Sequence, residues 1–318
     1  MKTLGKASND AERQAEAALL SNPAWSGKRV AYVPAGDGIV SPSHRGVDAR
    51  RWKIAVDGDE PRYLLKVFHN DQKPFVDVAR TFESTRQAAA LGITPAAHAF
   101  TETSIIVDHL PDMWRTATMD DLRDTERLGK VIELKKRMHG SAPLASSETV
   151  FDRLRMISDR MPQTAKTPGD LWWMRAGVDD IEQAIASAGV DHVPAHADGL
   201  ASNVMFTQDG AVQLVDFDEA RNVDPYYELG ILLNEAFVFD SEMAPALEAF
   251  DGSVRPQSLA RCRLYAIADD LYWGLWAALM DATSPRGEIE FLKYANWRFL
   301  RCRMALRHPG LEERIRRL

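Results

Sequence analysis

Two short stretches decide how this chain folds: His196-Ala197-Asp198-Gly199-Leu200-Ala201-Ser202-Asn203 and Leu214-Val215-Asp216-Phe217-Asp218. Each lies next to a short β run, Asn203–Phe206 in the first case and Val212–Val215 in the second. The residues between the two runs, Gln208-Asp209-Gly210, are typical of a tight turn. The sequence therefore predicts a β-hairpin with polar side chains on either side of it.

The polar side chains of the predicted hairpin have a spacing that suits one kind of chemistry. Asp198 and Asn203 are five residues apart around a loop, and Asp216 follows Asn203 by thirteen residues, at the end of the partner strand. The hairpin brings Asn203 and Asp216 together, and their oxygens are hard ligands suited to phosphate-bound Mg²⁺. Asp198 is then free to accept a hydroxyl proton, as phosphoryl transfer requires. The alternative is that each residue only caps a turn, which is common for Asp and Asn in loops.

Composition excludes several classes of protein. The 318 residues carry 39 Lys+Arg against 46 Asp+Glu, a net charge of −7, and 45% of them are apolar. This acidity argues against binding to nucleic acid, which needs a basic surface. The two cysteines, Cys262 and Cys302, exclude a disulfide scaffold and a four-cysteine zinc site. Because the most apolar segments are also too short to span a bilayer, we expect a cytoplasmic protein without membrane contacts.

The chain is expected to consist of an N-terminal helical extension, a small lobe and a larger lobe. Residues 1–22 contain a helical pattern at Ala11–Leu20, residues 23–110 form the small lobe, and residues 111–318 are mostly helical. Within the small lobe the sequence predicts three strands and one helix: Arg51–Val56, Tyr63–Phe68, Ser104–Asp108 and the helix Phe75–Leu91. The expected fold class is α+β.

The sequence resembles the choline/ethanolamine kinase branch of the aminoglycoside-phosphotransferase-like superfamily, distant relatives of protein kinases. Its His-x-Asp-x-x-x-x-Asn loop matches His196, Asp198 and Asn203, and its Asp-Phe motif matches Asp216-Phe217. Ala197 stands where relatives have Gly or Asn. The resemblance implies a bilobal, protein-kinase-like fold with ATP and Mg²⁺ as cofactors. It makes Asp198 the catalytic residue, Asn203 and Asp216 the metal ligands, and His196 a support for the loop.

The resemblance also implies a nucleotide-binding set in the small lobe. Lys66, in the middle of a predicted strand, would hold the α- and β-phosphates, and Glu83 on the following helix would orient it. Taken alone, Lys66 could be a solvated edge residue and Glu83 a helix-surface charge. Ser104–Leu110 resembles the strand between the lobes whose backbone meets adenine, which makes Asp108 and Leu110 candidate cofactor-binding residues.

The loop that covers the phosphates in relatives has no clear match. The corresponding residues, Gly36–Gly46, are not glycine-rich at the usual spacing. Ser41 and Ser43, or their backbone amides, are the candidates for phosphate contact.

A pair of tryptophans suggests a binding site for a cation. Trp273 and Trp276 are three residues apart and share a helix face with Asp269. Indole faces attract an ammonium group by ~0.5–2 kcal/mol, although a tryptophan pair at this spacing is usually part of a core. Choline kinases have the same pair and follow it with an aromatic helix start, matched here by Phe291 and Tyr294. By the same resemblance, Glu235 is the carboxylate that faces the ammonium group.

One departure from the resemblance affects the expected acceptor. Where choline kinases have Asp-Phe-Glu-Tyr, this chain has Asp216-Phe217-Asp218-Glu219, so Glu219 replaces a tyrosine of the choline cage. An added carboxylate favours a smaller amine that donates hydrogen bonds, and ethanolamine is therefore as plausible as choline.

The expected function is that of a kinase that transfers the γ-phosphoryl group of ATP to the hydroxyl of an amino alcohol, with a homodimer possible. Two alternatives stay open: an aminoglycoside-type antibiotic phosphotransferase, which needs a broad acidic pocket, and a non-catalytic nucleotide-binding protein.

Overall fold

The computed structural model describes residues 1–36, 47–58 and 60–318. Their contacts divide the chain into two compact units, the first made of Met1–Thr116 and Ser202–Glu219, the second of Ala117–Ala201 and Ala220–Leu318. The first unit is built around an antiparallel sheet and the second is mostly helical. This combination confirms the predicted α+β class.

An antiparallel sheet forms the centre of the first unit. In the described residues it has six strands, β1 (Lys2–Thr3), β2 (Val30–Pro34), β3 (Ala49–Val56), β4 (Tyr63–Phe68), β5 (Ala97–Phe100) and β6 (Ser104–Asp108). Their spatial order is β1-β2-β3-β4-β6-β5. The three strands predicted from the sequence are present as β3, β4 and β6, with β3 beginning two residues earlier.

The register of the sheet places two basic side chains side by side. Arg51 on β3 lies opposite Lys66 on β4. Residues directly opposite each other on antiparallel strands project from the same face, so both side chains leave the same face of the sheet. The neighbouring pair, Trp52 and Leu65, projects from the other face into the core.

The predicted N-terminal helix is present as α1 (Asp10–Leu20) and packs on the apolar face of the sheet. Its start is fixed by Asn9, whose side chain accepts a hydrogen bond from a backbone N–H of the first turn. Leu19 is buried in the same cluster as Trp52 and Leu65. The N-terminal segment, predicted as an extension, is thus part of the core of the first unit.

Helix α2 (Val78–Ala90) follows β4 and begins three residues after the predicted start at Phe75. Asp77 determines the start, because its side chain caps the helix by accepting a backbone N–H. The helix ends before Gly92, which has φ +70°. Glycine adopts this left-handed conformation without strain, so the predicted stop signal acts where expected.

The predicted hairpin is present as β9 (Val204–Phe206) and β10 (Val212–Leu214), with β7 (Arg115–Thr116) as a third strand. Beyond the ladder, the Val215 N–H donates to the Asn203 carbonyl oxygen at 2.9 Å. The hairpin is joined to the first unit by the Leu214 N–H, which donates to the Ile93 carbonyl oxygen at 2.9 Å. The sequence had assigned these residues to the larger lobe, 111–318.

The second unit is built from helices. They are α3 (Met119–Arg123), α4 (Thr125–His139), α5 (Val150–Arg160), α6 (Leu171–Ser187), α7 (Pro225–Ala236), α8 (Ala244–Asp251), α9 (Pro256–Thr283), α10 (Phe291–Leu306) and α11 (Leu311–Arg316), with the strand pair β8 (Val193–Ala195) and β11 (Arg221–Val223). The long α9 packs against α5, α7 and α10. Within the described residues, no helix has both the length and the apolarity needed to cross a membrane.

The apolar periodicity of residues Met119–Met138 predicts one long helix, whereas the structure has two, α3 and α4. The break lies at Asp124, which has an extended backbone (φ −71°, ψ 119°) and whose side chain accepts a hydrogen bond from the first turn of α4. Thr118 and Asp121 form a capping box that starts α3 separately. Asp favours the N-cap over the helix interior, so the backbone breaks at Asp124 even though the apolar periodicity continues through it.

Candidate functional site

Lys66 lies at the centre of a cluster of carboxylates in the first unit. Its Nζ is 2.6 Å from Asp216 Oδ1, 2.5 Å from Asp218 Oδ2 and 2.5 Å from Asp48 Oδ2. Arg51 contacts the other oxygen of Asp216 at 3.2 Å. Among the described residues, the cluster therefore contains three carboxylates and two basic side chains.

This charge distribution shifts the pKa values of the cluster in opposite directions. Burial disfavours the ionised form of Asp216, but Lys66 and Arg51 outweigh burial, so the pKa of Asp216 lies below its usual range. Burial and the adjacent Asp216 carboxylate raise the pKa of Asp218 well above its usual value. The same carboxylates outweigh the burial of Lys66 and raise its pKa, so Lys66 stays protonated.

The donor set of this cluster fits a divalent cation. Asp48, Asp216 and Asp218 each offer one carboxylate oxygen, and these oxygens lie within 4.8 Å of one another. Mg²⁺ binds proteins through one or two carboxylates together with substrate phosphates. Asn203, the second predicted ligand, is hydrogen-bonded through its backbone to the residue before Asp216.

The chain positions Asp216 through an uncommon backbone conformation. Asp216 comes two residues after β10 and has φ +71°, in the left-handed region. Asp tolerates this region better than most residues, but it still costs free energy. Such conformations persist where the surrounding structure holds them, often at functional sites. A 3₁₀ turn, Phe217–Glu219, follows at once and places Asp218 beside Lys66.

Glu83 does not pair with Lys66 in this structure. Its carboxylate lies on α2, is 58% exposed, and binds Arg86 one turn later, at 2.6 Å and 3.0 Å. The expected Lys66–Glu83 pair is replaced by the contacts of Lys66 with the three aspartates. Glu83 binds Arg86 because a residue three positions later on the same helix is always within reach of it.

The other candidate cofactor residues lie at the end of β6. Asp108 donates its backbone N–H to the Ala96 carbonyl oxygen at 2.8 Å, and its carboxylate is 2.6 Å from His98 Nε2. Leu110 follows two residues later and is partly buried. Their contact with a nucleotide stays a prediction. Ser41 and Ser43, the candidates for phosphate contact, lie outside the described residues.

In the second unit, Asp198 and Glu235 are tied to consecutive backbone amides. Asp198 Oδ1 accepts the Leu200 N–H at 2.7 Å, and the Glu235 carboxylate accepts the Ala201 N–H. The predicted catalytic carboxylate and the predicted ammonium-binding carboxylate are therefore held by the same short loop.

Glu235 is the least compensated carboxylate of this region. Burial raises the pKa of Glu235. Arg298 and Arg301 lower this pKa but do not offset the effect of burial. Among the described residues it makes no ion pair. A carboxylate with a raised pKa is stabilised in its ionised form by an added cation.

Most of the predicted aromatic residues come together beside α9. Trp273 and Trp276 have ring centroids 5.4 Å apart in an edge-to-face arrangement, and Trp276 contacts Phe291 in the same way at 5.9 Å. Tyr294 is buried one turn after Phe291. Burial raises the pKa of Tyr294, and Glu235 adds to this effect. The cluster is partly a core, as the alternative interpretation expected, because only Trp273 keeps appreciable exposure among these four residues.

Asp269 does not face this cluster as a free carboxylate. One of its oxygens accepts the Tyr227 hydroxyl at 2.9 Å and the other accepts Arg298 at 2.5 Å, and the side chain is only 6% exposed. Both oxygens thus have internal partners, so Asp269 contributes to packing of α9 on α10 rather than to binding an acceptor. Glu219 lies in the first unit, at the end of the 3₁₀ turn after Asp216.

Sequence reasoning missed several polar residues of both regions. Asp48 and Arg51 join the Lys66 cluster, and Glu228, Lys135 and His139 form a buried group next to the Asp198 loop. Two signals could have found some of them. Asp218 repeats the Asp216 carboxylate two residues later, and Glu228 is an acidic residue beside the apolar run Leu229–Leu233 of α7.

A strand lysine bound by aspartates that follow a β-hairpin, on an α+β fold, defines the class of kinase-like phosphotransferases. The comparison with protein families agrees: the chain belongs to the phosphotransferase enzyme family, whose profile matches residues 40–265. No curated protein sequence matches the chain.

Solved structures with the same fold include choline/ethanolamine kinase family proteins and aminoglycoside-bound APH proteins. A choline/ethanolamine kinase family protein from Mesorhizobium loti has a TM-score of 0.76 and 18% identity, covering 96% of this chain and 97% of that one. LicA in complex with AMP has a TM-score of 0.73 and 17% identity, covering 93% and 96%. The gentamicin complex of APH(2")-IIa has a TM-score of 0.63 and 14% identity, covering 92% and 97%. At these identities the likeness establishes the fold.

Proposed function

We propose that this phosphotransferase transfers the γ-phosphoryl group of ATP to the hydroxyl of a small amino alcohol, choline or ethanolamine. The observation that carries the proposal is the pair of carboxylates, Asp198 and Glu235, on the consecutive amides of Leu200 and Ala201. An amino alcohol has its hydroxyl and its ammonium group two carbons apart. It can therefore contact both carboxylates, Asp198 on the loop and Glu235 on helix α7.

The proposed nucleotide site is the Lys66 cluster of the first unit. Lys66 is buried and protonated, and its ion-pair partners among the described residues are carboxylates, which phosphate oxygens can replace. Asp216 and Asp218, with Asn203 just before β9, would hold Mg²⁺. When bound, this ion neutralises charge that develops on the phosphoryl group. A solved relative by fold, LicA, was crystallised with AMP, which supports a nucleotide as the donor.

The proposed acceptor site is the region around Glu235 in the second unit. Glu235 binds the ammonium group, and the exposed part of Trp273 contacts its alkyl or methyl groups. Asp198 then accepts the hydroxyl proton, a contribution of about 10²–10⁴ to the rate. Holding both ends of the acceptor keeps the hydroxyl oriented for attack.

The number of free carboxylates favours a small monocation over an antibiotic with several ammonium groups. Two of the predicted acceptor carboxylates lie in the second unit. Asp269 forms an ion pair with Arg298, and Glu235 makes no ion pair among the described residues. A polycation needs several such groups. The predicted homodimer and the predicted cytoplasmic location stay predictions.

One assay tests the proposal. ATP consumption is measured with Mg²⁺ and, in parallel, choline, ethanolamine and an aminoglycoside, with the Asp198→Asn variant as background. Turnover of choline or ethanolamine above that background is the expected result. Turnover of the aminoglycoside alone would instead place the chain with the antibiotic kinases. No turnover of any acceptor, together with no effect of Mg-ATP on the melting temperature, would favour a non-catalytic protein.

A further inference from the structure

Lys135 joins helix α4 to the loop that carries Asp198. Its side chain is only 3% exposed. Its Nζ donates to the main-chain carbonyl oxygen of Asp198 at 3.0 Å and to Glu228 Oε1 at 3.0 Å. The same Oε1 accepts the Ala197 N–H at 2.9 Å. One ammonium group and one carboxylate thus hold the backbone on both sides of the Ala197–Asp198 peptide.

Glu228 is ionised in the folded protein. Burial disfavours the ionised form of Glu228, but Lys135 and His139 outweigh burial, so the pKa of Glu228 lies below its usual range. His139 Nε2 is 2.5 Å from the second carboxylate oxygen. The hydrogen bonds from Lys135 to the Asp198 carbonyl and from the Ala197 N–H to Glu228 each involve a charged side chain, which makes them stronger than neutral ones.

The loop has a backbone that needs such support. Ala197 has φ +56°, a left-handed conformation that residues with a Cβ rarely adopt. Gly199 lies directly against α7, since a Cβ at this position would be 2.6 Å from the Ile231 carbonyl. The loop is held in one conformation by contacts outside itself, and the Asp198 side chain is fixed relative to that backbone by the Leu200 N–H.

We propose that Lys135, paired with Glu228, is a positioning residue for Asp198. The inference rests on the proposed function, in which Asp198 accepts the proton of the acceptor hydroxyl. Lys135 touches neither the side chain of Asp198 nor, in this proposal, the acceptor. It acts by fixing the carbonyl of Asp198, so that the carboxylate keeps the orientation that proton transfer requires.

The chain offers a matched control at the next residue. Lys136 is also on α4, and its Nζ donates to a main-chain carbonyl, that of Phe250, at 2.8 Å. Lys136→Met removes the same chemistry from the same helix without touching the loop. Lys135→Met alone leaves the Glu228 carboxylate buried beside an apolar side chain and can prevent folding. The double variant Lys135→Met/Glu228→Gln removes this charge, while the glutamine oxygen can still accept the Ala197 N–H.

Two measurements are made on the wild type, the double variant and Lys136→Met: steady-state kinetics and amide hydrogen exchange at Ala197 and Leu200. We expect the double variant to melt close to the wild type and to lose kcat by about tenfold or more, with the KM for ATP changed by less than about twofold. Amide exchange in the loop should rise by about tenfold or more. Lys136→Met should change neither quantity by more than about twofold.

The outcomes separate this inference from the proposed function. If the wild type phosphorylates none of the acceptors, the proposed function fails, and exchange alone decides whether Lys135 holds the loop. Unchanged loop exchange in the double variant overturns the inference whatever the activity. Faster exchange with wild-type kcat also overturns it, because the loop would then not need to be held for catalysis.

Discussion

Asp198 and Glu235 accept hydrogen bonds from neighbouring amides, Leu200 N–H and Ala201 N–H, although they are 37 residues apart in the chain. This relationship connects the residue proposed to accept a proton with the residue proposed to bind the ammonium group. It makes separate predictions for the two side chains, because only one of them takes part in the chemical step.

The first prediction concerns Asp198. Asp198→Asn should lower kcat by about 10²–10⁴, because the amide cannot accept the hydroxyl proton. The amide oxygen can still accept the Leu200 N–H, so the loop and the fold should be preserved. The measurement is kcat with the acceptor found in the screen, alongside the melting temperature. Retained turnover in a properly folded variant contradicts the proton-accepting role of Asp198.

The second prediction concerns Glu235 and pH. Glu235→Gln should raise the acceptor KM by roughly tenfold, equivalent to about 1.4 kcal/mol, with a smaller effect on kcat. Burial raises the pKa of Glu235, so lowering the pH protonates it and removes its attraction for a cation. In the wild type, the acceptor KM should therefore rise as pH falls through the raised pKa of Glu235, whereas in Glu235→Gln this part of the rise should be absent.

The exposed Glu248 on α8 provides the control for this measurement. Glu248→Gln changes the net charge by the same amount and should leave the acceptor KM and its pH dependence unchanged. Equal KM changes in both variants would mean that overall charge, and not Glu235, attracts the acceptor.

The third prediction concerns the carboxylates around Lys66. In the wild type, Mg-ATP at about 100 times its Kd should stabilise the fold by about 2.7 kcal/mol, seen as a higher melting temperature. Asp216→Asn should lose most of this shift, because it removes one ligand charge from the cluster. Asp112→Asn, which alters a 97% exposed carboxylate, is the control and should keep the full shift. A full shift in Asp216→Asn would remove Asp216 from the metal site.

The fourth prediction concerns Glu228 and acid stability. The pKa of Glu228 is lowered in the folded protein. Its ionised form therefore contributes stability above the unfolded pKa of about 4.3, and this contribution is lost as pH falls toward the lower folded pKa. Glu228→Gln should destabilise by about 3–5 kcal/mol at pH 7, because Lys135 loses its buried partner. The difference from the wild type, measured by urea unfolding, should narrow below about pH 4; a constant difference would contradict the charge-based role.

The fifth prediction concerns Gly199. Gly199→Ala should cost about 3 kcal/mol or more, because the added Cβ would be 2.6 Å from the backbone of Ile231 and neither backbone can move freely. Gly129→Ala on α4 is the matched control, with open space around the new methyl group. It should stabilise by up to about 1 kcal/mol. Similar effects of the two substitutions would mean that the loop does not rest closely on α7.

Local patterns predicted much of the fold. Strands β4 and β6 have the bounds expected from their apolar composition, and the hairpin β9–β10 is centred on the predicted turn. The three-residue strands β8 and β11 could not be predicted, because such short strands depend on their pairing partner and not on a pattern of their own. The sequence predicts a helix over Asp179–Ala188, but α6 begins eight residues earlier, at Leu171, and its first turns bury Met174 and Val178.

The candidate site was predictable only where a motif carries it. Asp198, Asn203 and Asp216 are close in sequence to one hairpin, so their spacing contains the information. Asp48 reaches Lys66 only through the tertiary fold, and no sequence spacing indicates it.

The choice between a free and a paired carboxylate was not predictable either. Asp269 and Glu235 look alike in the sequence, as acids next to apolar helical residues. Asp269 forms an ion pair with Arg298, which lies 29 residues later on another helix. Glu235 has no such partner among the described residues.

The absence of a side chain at position 199 has a mechanical consequence. With backbone resting on backbone, the loop 196–200 and helix α7 cannot slide past each other, and they must travel as one rigid piece in any rearrangement during turnover. Acceptors of different size then have to be accommodated by side chains that do not rest on α7. The partly exposed indole of Trp273 is one of them.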